Sequence, residues 1–149
     1  MKKVKRKIIA ICSSASFYAK VLEAEVALKK IGFSVLIPLT ANKMKKSGDF
    51  RVETYKTWFK NPNDYKRKTF LTKHHFNKVE ESDAILVLNY EKNGVEGYIG
   101  GAVLSEMAIA LHFGKKIYVL NPIDESCSYK EELLAMHPTI LNGDLSRIR

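Results

Sequence analysis

Two short runs of branched apolar residues bracket a helical stretch, and that order constrains the fold more than any other feature. Lys7 to Cys12 (KIIAIC) has the length and isoleucine content of a buried strand, and it runs into the polar loop Ser13-Ser14-Ala15-Ser16. Phe17 to Ile31 follows with helical spacing, placing Val21, Leu22, Val26, Leu28 and Ile31 mostly on one side, and Gly32 is its stop. Ser34 to Leu39 (SVLIPL) reads as a second strand with Pro38 at its end. Strands joined through a helix by short connections pair in parallel, because a parallel pair needs a crossover.

The pattern continues. Thr40 to Gly48 has few apolar residues and reads as a loop, and Arg51 to Phe59 as a short helix. Asn61-Pro62-Asn63-Asp64 breaks the chain before a longer helix over Tyr65 to Glu81. Ala84 to Asn89 (AILVLN) is the plainest buried strand. The loop Tyr90 to Gly101 holds Gly94, Gly97, Gly100 and Gly101. A helix over Ala102 to Phe113, capped by Gly114, leads to a strand at Lys116 to Leu120. Tyr129 to Met136 is the last helix, and Pro138 to Leu141 a short edge strand. No repeat and no linker interrupts the series, so residues 1–149 read as one α/β domain with a parallel sheet of about five strands.

Composition removes several function classes. With 149 residues and 46% apolar content the chain can bury a real core. No apolar stretch approaches the roughly 18–20 residues needed to span a bilayer. The apolar run after the basic start Met1–Lys7 is too short for a signal-peptide core. Cys12 and Cys127 form no CxxC pair and have no metal-ligand spacing with the histidines, so free thiols, a cytoplasmic location, no metal and no cofactor are the expectation. The net charge of +9 suits nucleic acid, anionic lipid or a phosphorylated ligand. Its second cluster, Lys56 to Lys78, contains Asp64 as its only acid.

In an open parallel sheet ligands bind beyond the carboxyl ends of the strands, which ranks the loops after them first. Asp83 sits at the opposite end of its strand and is set aside as a solvated or capping residue. Glu106 stands out. In a helix its neighbours three and four residues away are Ala102, Val103, Ile109 and Ala110, with no cation to pair. A lone carboxylate on such a helix is costly unless it is hydrogen-bonded, protonated or facing a cavity, which points to function. The other reading is a glutamate favoured by the helix dipole and held by loop amides. Gly100-Gly101 either lets backbone amides approach a ligand or makes a tight connection. Ser13 and Ser14 either hold a hydroxyl or phosphate or cap the first helix. Asn89 and Asn121 end two strands, and of these Asn89, which opens the glycine loop, is the better ligand candidate. Trp58, Tyr55 and Phe59 among lysines either stack a base or form a helix's core face. Lys66-Arg67-Lys68 reads as a solvated face.

The segments SDAILVLN, GGAVLSEMAIAL and GKKIYVLN, with the polar loop after the first strand, resemble the nucleoside 2-deoxyribosyltransferase-like superfamily, whose relatives include nucleoside 5′-monophosphate N-glycosidases. The resemblance spans roughly Lys7 to Pro122. It implies a flavodoxin-like or Rossmann-like three-layer sandwich, usually assembled as a dimer or higher oligomer, acting on a nucleoside or nucleotide. It implies Glu106 as the nucleophile that attacks the anomeric carbon. It also implies that the Ser13-Ser14 loop contacts the sugar or 5′-phosphate and that the turn Tyr98 to Gly101 lines the sugar site. One position departs: where the family carries a catalytic aspartate, this chain has His75, a residue that can act as acid or base or hold a phosphate. Three functions therefore stand: glycosidic cleavage or transfer, a nucleotide-binding module without turnover, and, less favoured, a basic nucleic-acid-binding protein.

Overall fold

A computed structural model describes residues 5–149, so the first four residues of the basic start lie outside the described region. Five strands form one sheet: β1 (Ile8–Ser13), β2 (Ser34–Leu36), β3 (Ala84–Leu88), β4 (Lys116–Val119) and β5 (Thr139–Ile140). Every pairing is parallel and the order is β2-β1-β3-β4-β5. The longest register joins β1 to β3, from Ile9 opposite Ala84 to Ser13 opposite Leu88. This is the flavodoxin-like doubly wound arrangement, whose strand order reverses between β1 and β3.

Alternation along the strands sorts the side chains into two cores. Ile9, Ile11, Leu86 and Leu88 face one side, where Val21, Ala24 and Leu28 of α1 (Tyr18–Ile31) cover them. Ala10, Cys12, Ile85 and Val87 face the other. There they meet Val79 of α4 (Tyr65–Glu81), Val103 and Met107 of α5 (Gly101–His112), and Leu133 of α6 (Lys130–Ala135). Three layers result, as the resemblance implies. Gly32 ends α1 with φ 115°, a left-handed conformation that favours glycine.

The segment after β2 differs from the expected loop. The strand stops at Leu36, and α2 (Leu39–Ser47) begins directly after Pro38. Pro38 supplies the first helical acceptor to Asn42 N (3.2 Å) and buries beside Thr40, Ala41 and Met44, the inward face of α2. The next helix, α3 (Val52–Tyr55), is a single turn. Asp83 Oδ2 accepts from Ile8 N at 2.7 Å, fastening β1 to β3 at the end of the sheet away from the switch point. Within the basic cluster Lys78 Nζ donates to Ile37 O at 2.6 Å, so this lysine ties α4 to the end of β2. No described helix is long and apolar enough to cross a membrane.

Candidate active site

The carboxyl ends of β1 and β3 open into a cavity of about 520 Å³. It is lined by the end of β1 and the start of α1 (Ser13, Ser14, Tyr18) and by α5 with the residue before it (Gly100, Gly101, Glu106). Its wall comes from α4 (Lys68, Thr72, His75), and the excursion through α2 and α3 closes over it with Tyr55 and Trp58. The cavity lies at the edge of the sheet that the topological rule names.

Glu106 lies on the inner face of α5 and reaches the cavity, with its side chain 12% exposed. Burial pushes its carboxyl up to about 8, while the nearby Lys68 ammonium and the Cys12 thiol work against that rise. No lysine or arginine among the described residues comes close enough to form an ion pair with it. The helix places apolar residues beside Glu106, so the groups that tune it come from β1 and α4.

His75 projects from α4 with its Nε2 4.0 Å from Glu106 Oε2. The same Nε2 is 3.6 Å from the Cys12 sulfur. Burial drives the imidazole down to about 4; Lys78 adds to the fall and the Ile11 backbone opposes it. His75 is thus neutral near pH 7, a polar neighbour of Glu106 beyond hydrogen-bond distance and a weak proton source. Its Nδ1 is buried without a hydrogen bond of good geometry. Burial raises the Cys12 thiol, and the Glu106 charge raises it further. Tyr18 is held well above the usual phenol range by burial, then by Glu106 and Cys12.

Cys12, His75 and Glu106 present one sulfur, one nitrogen and one oxygen, all within 4.8 Å of one another. Sequence spacing gave no metal set. The sheet and two helices assemble a possible one from three distant positions.

The loops form the opposite rim. Lys92 Nζ donates to Ser14 Oγ at 3.0 Å and lies 4.9 Å from the centre of the Tyr98 ring, joining the β1 loop to the glycine loop. Ser13 is buried and its hydroxyl donates to Ser14 O. Ser14 makes no side-chain cap to the turn it precedes. At Gly100 a Cβ would come 3.0 Å from the Tyr98 hydroxyl, so a larger residue there would press the Tyr98 ring aside by a few tenths of an ångström. At Gly101 a Cβ would meet nothing within 4 Å. The first amides of α5 have no side-chain cap and border the cavity beside Gly101.

Trp58 is buried yet lines the cavity, with Lys68 Nζ 5.6 Å from its ring centre. Lys68 is half-buried, and burial followed by Lys56 pulls its ammonium down. Its neighbours Lys66 and Arg67 remain exposed, so the expected solvated face holds for two of the three. Phe59 is 70% exposed at the mouth, not part of a core face. Lys68, Lys92, Cys12 and Tyr18 escaped sequence reasoning; Lys68 differs from its basic neighbours only in the face of α4 it occupies.

Asn89 requires a correction. Its side chain is fully buried and does not line the cavity. Its Nδ2 donates to Asn121 O (2.8 Å), its Oδ1 accepts from Asn121 N (2.9 Å), and its own carbonyl accepts from Asn121 Nδ2 (3.2 Å). Both amides are spent on joining the ends of β3 and β4.

No family model and no curated protein matches the chain. Among solved structures it is similar to the 2-deoxyribosyltransferase of the psychrotolerant bacterium Bacillus psychrosaccharolyticus. The two superpose with a TM-score of 0.52 at 17% identity, over 83% of this chain and 78% of that one. Together with the strand order and the cavity at the switch point, this likeness gives the chain the nucleoside 2-deoxyribosyltransferase-like fold.

Proposed function

We propose that the protein cleaves or transfers the N-glycosidic bond of a nucleoside or nucleoside 5′-monophosphate. The observation that carries this reading is Glu106, a buried carboxylate that opens into a cavity at the switch point of a deoxyribosyltransferase-like fold. The structural neighbour is a 2-deoxyribosyltransferase described as a suitable biocatalyst for nucleoside synthesis. The cavity adds aromatic surface from Trp58 and Tyr98 for a base or sugar, and Lys56, Lys68 and Lys92 for an anionic group.

In this chemistry the Glu106 carboxylate attacks the anomeric carbon. The bond to the base breaks, its electron pair leaves with the base, and the base takes up the proton that Glu106 sheds on becoming the carboxylate nucleophile. Water or a second base then attacks the same carbon and returns Glu106 as a carboxylate, with retention overall. Lys68 favours the ionised nucleophile, and His75 and Cys12 position it. Ser13, Ser14, Tyr98, Gly100 and Gly101 hold the sugar side. The proposal includes a homodimer; Leu111 and Phe113, 48% and 45% exposed at the end of α5, leave apolar surface for one.

The alternative is a nucleotide-binding module without turnover. It draws on His75 standing where the resemblance implies an aspartate. One experiment separates the two. Ribo- and deoxyribonucleosides and their 5′-monophosphates are incubated with the protein, with and without an acceptor base, and free base is separated by chromatography. Release by the wild type, lost in Glu106→Ala, is the expected result. Silence across the panel from folded, chelator-treated protein would overturn the enzymatic reading.

A further inference from the structure

The contact of Cys12, His75 and Glu106 has a second chemical meaning. A tetrahedral zinc ion with bonds of about 2.3 Å to sulfur and about 2.0–2.1 Å to nitrogen sets those two ligands ~3.6 Å apart. Cys12 Sγ and His75 Nε2 stand 3.6 Å apart. Nitrogen and oxygen ligands of the same ion would lie ~3.4 Å apart. His75 Nε2 and Glu106 Oε2 are at 4.0 Å, a gap that a small rotation of the glutamate side chain closes. Cys12 is held by β1 and His75 by α4, each buried, so two of the three ligands are fixed by the fold. The third reaches the cavity, which leaves a fourth coordination position open to solvent or a small ligand.

The donor set selects the ion. A thiolate, an imidazole and one carboxylate oxygen suit zinc and its borderline neighbours; calcium and magnesium require oxygen ligands. A cation here also offsets a carboxylate that forms no ion pair with lysine or arginine among the described residues.

We infer that Cys12, His75 and Glu106 form a binding site for one zinc-class divalent ion, open to the cavity. A consequence follows for the proposed chemistry, and it rests on that reading: with its carboxylate on the ion, Glu106 cannot attack a sugar, so the ion-bound protein is silent in base release.

Cobalt(II) and zinc(II), each added alone to the full chain, test the site without any turnover assay. The expected result is one equivalent bound by equilibrium dialysis, with a sulfur-to-cobalt charge-transfer band in the near ultraviolet. Cys12→Ser should remove that band, and Cys127→Ser should keep it. Glu106→Gln, a second variant in case Cys12→Ser fails to fold, should weaken binding at least tenfold. No binding, or binding indifferent to both Cys12→Ser and Glu106→Gln, would overturn the site. Ion binding without base release by chelated protein would leave the site standing and sink the glycosidic reading. Base release that persists in the ion-saturated protein would overturn the mutual exclusion.

Discussion

His75 of α4 and Glu106 of α5 meet with 4.0 Å between Nε2 and Oε2, and both are displaced from their ordinary titration ranges by burial. Burial favours the neutral form of each, so the imidazole falls while the carboxyl rises. The pair is therefore poised to be uncharged together, and the two members fail at opposite ends of the pH scale.

Glu106 limits stability at high pH. Its folded pKa of about 8 lies above the ordinary 4.5, so the folded protein holds the proton longer than the unfolded chain. The resulting stability is fully present below pH 4.5 and is lost as pH rises through 8. Glu106→Gln should therefore exceed the wild type by on the order of 2–4 kcal/mol at high pH, and the advantage should shrink towards zero under acid conditions. Denaturant melts of chelated protein at several pH values check this. An advantage independent of pH would contradict the buried-carboxylate account.

His75 acts at the other end. Its folded pKa of about 4 lies below the ordinary 6.5, so the neutral ring's stability is present above 6.5 and is lost as pH falls through 4. His75→Gln should remove a part of the acid sensitivity on the order of 2–3 kcal/mol. The measurement is the difference in unfolding free energy between the two proteins across that range. Parallel acid curves would show that the ring is not buried as neutral imidazole.

Asn89 should behave as a structural residue. Asn89→Ala removes its bonds to Asn121 N and Asn121 O and leaves both groups short of a partner. The expected loss is about 2–3 kcal/mol of stability, with KM changed less than about twofold. A raised KM at unchanged stability would return Asn89 to the substrate site.

Gly101 should behave in the opposite way. No atom lies within 4 Å of a Cβ built there, so Gly101→Ala is sterically free and adds about 0.4–1 kcal/mol through the unfolded chain. The methyl group nevertheless occupies the cavity beside the amides of α5. KM should rise about tenfold while the melting temperature is kept or raised. Unchanged kinetics would place the substrate elsewhere.

Much of this architecture is legible locally. Tyr65 to Glu81 carries its own start, a proline break just before it, and α4 has those bounds. Ala84 to Leu88 is wholly buried and alternates between the two cores, as a central parallel strand must. Glu106 is legible because nothing within helical reach can pair it. The helix after Pro38 is not, because its inward residues Thr40, Ala41 and Met44 are too few and too weakly apolar to reveal a period. Lys68 looks like its neighbours until α4 is packed, and Cys12 looks like a core residue until His75 and Glu106 are brought beside it. Asn89 and Asn121 are both visible as strand ends, but only the β3–β4 pairing shows that they bind each other.

The central claim is that Glu106 carries a glycosyl group. Chelated protein is mixed with the substrate that gives base release, quenched in acid within one turnover, and digested for mass spectrometry. The account predicts the added mass of one sugar, or sugar phosphate, on the peptide containing Glu106, absent from Glu106→Gln. Base release by Glu106→Gln at the wild-type rate, or an adduct that maps to another residue, would contradict it.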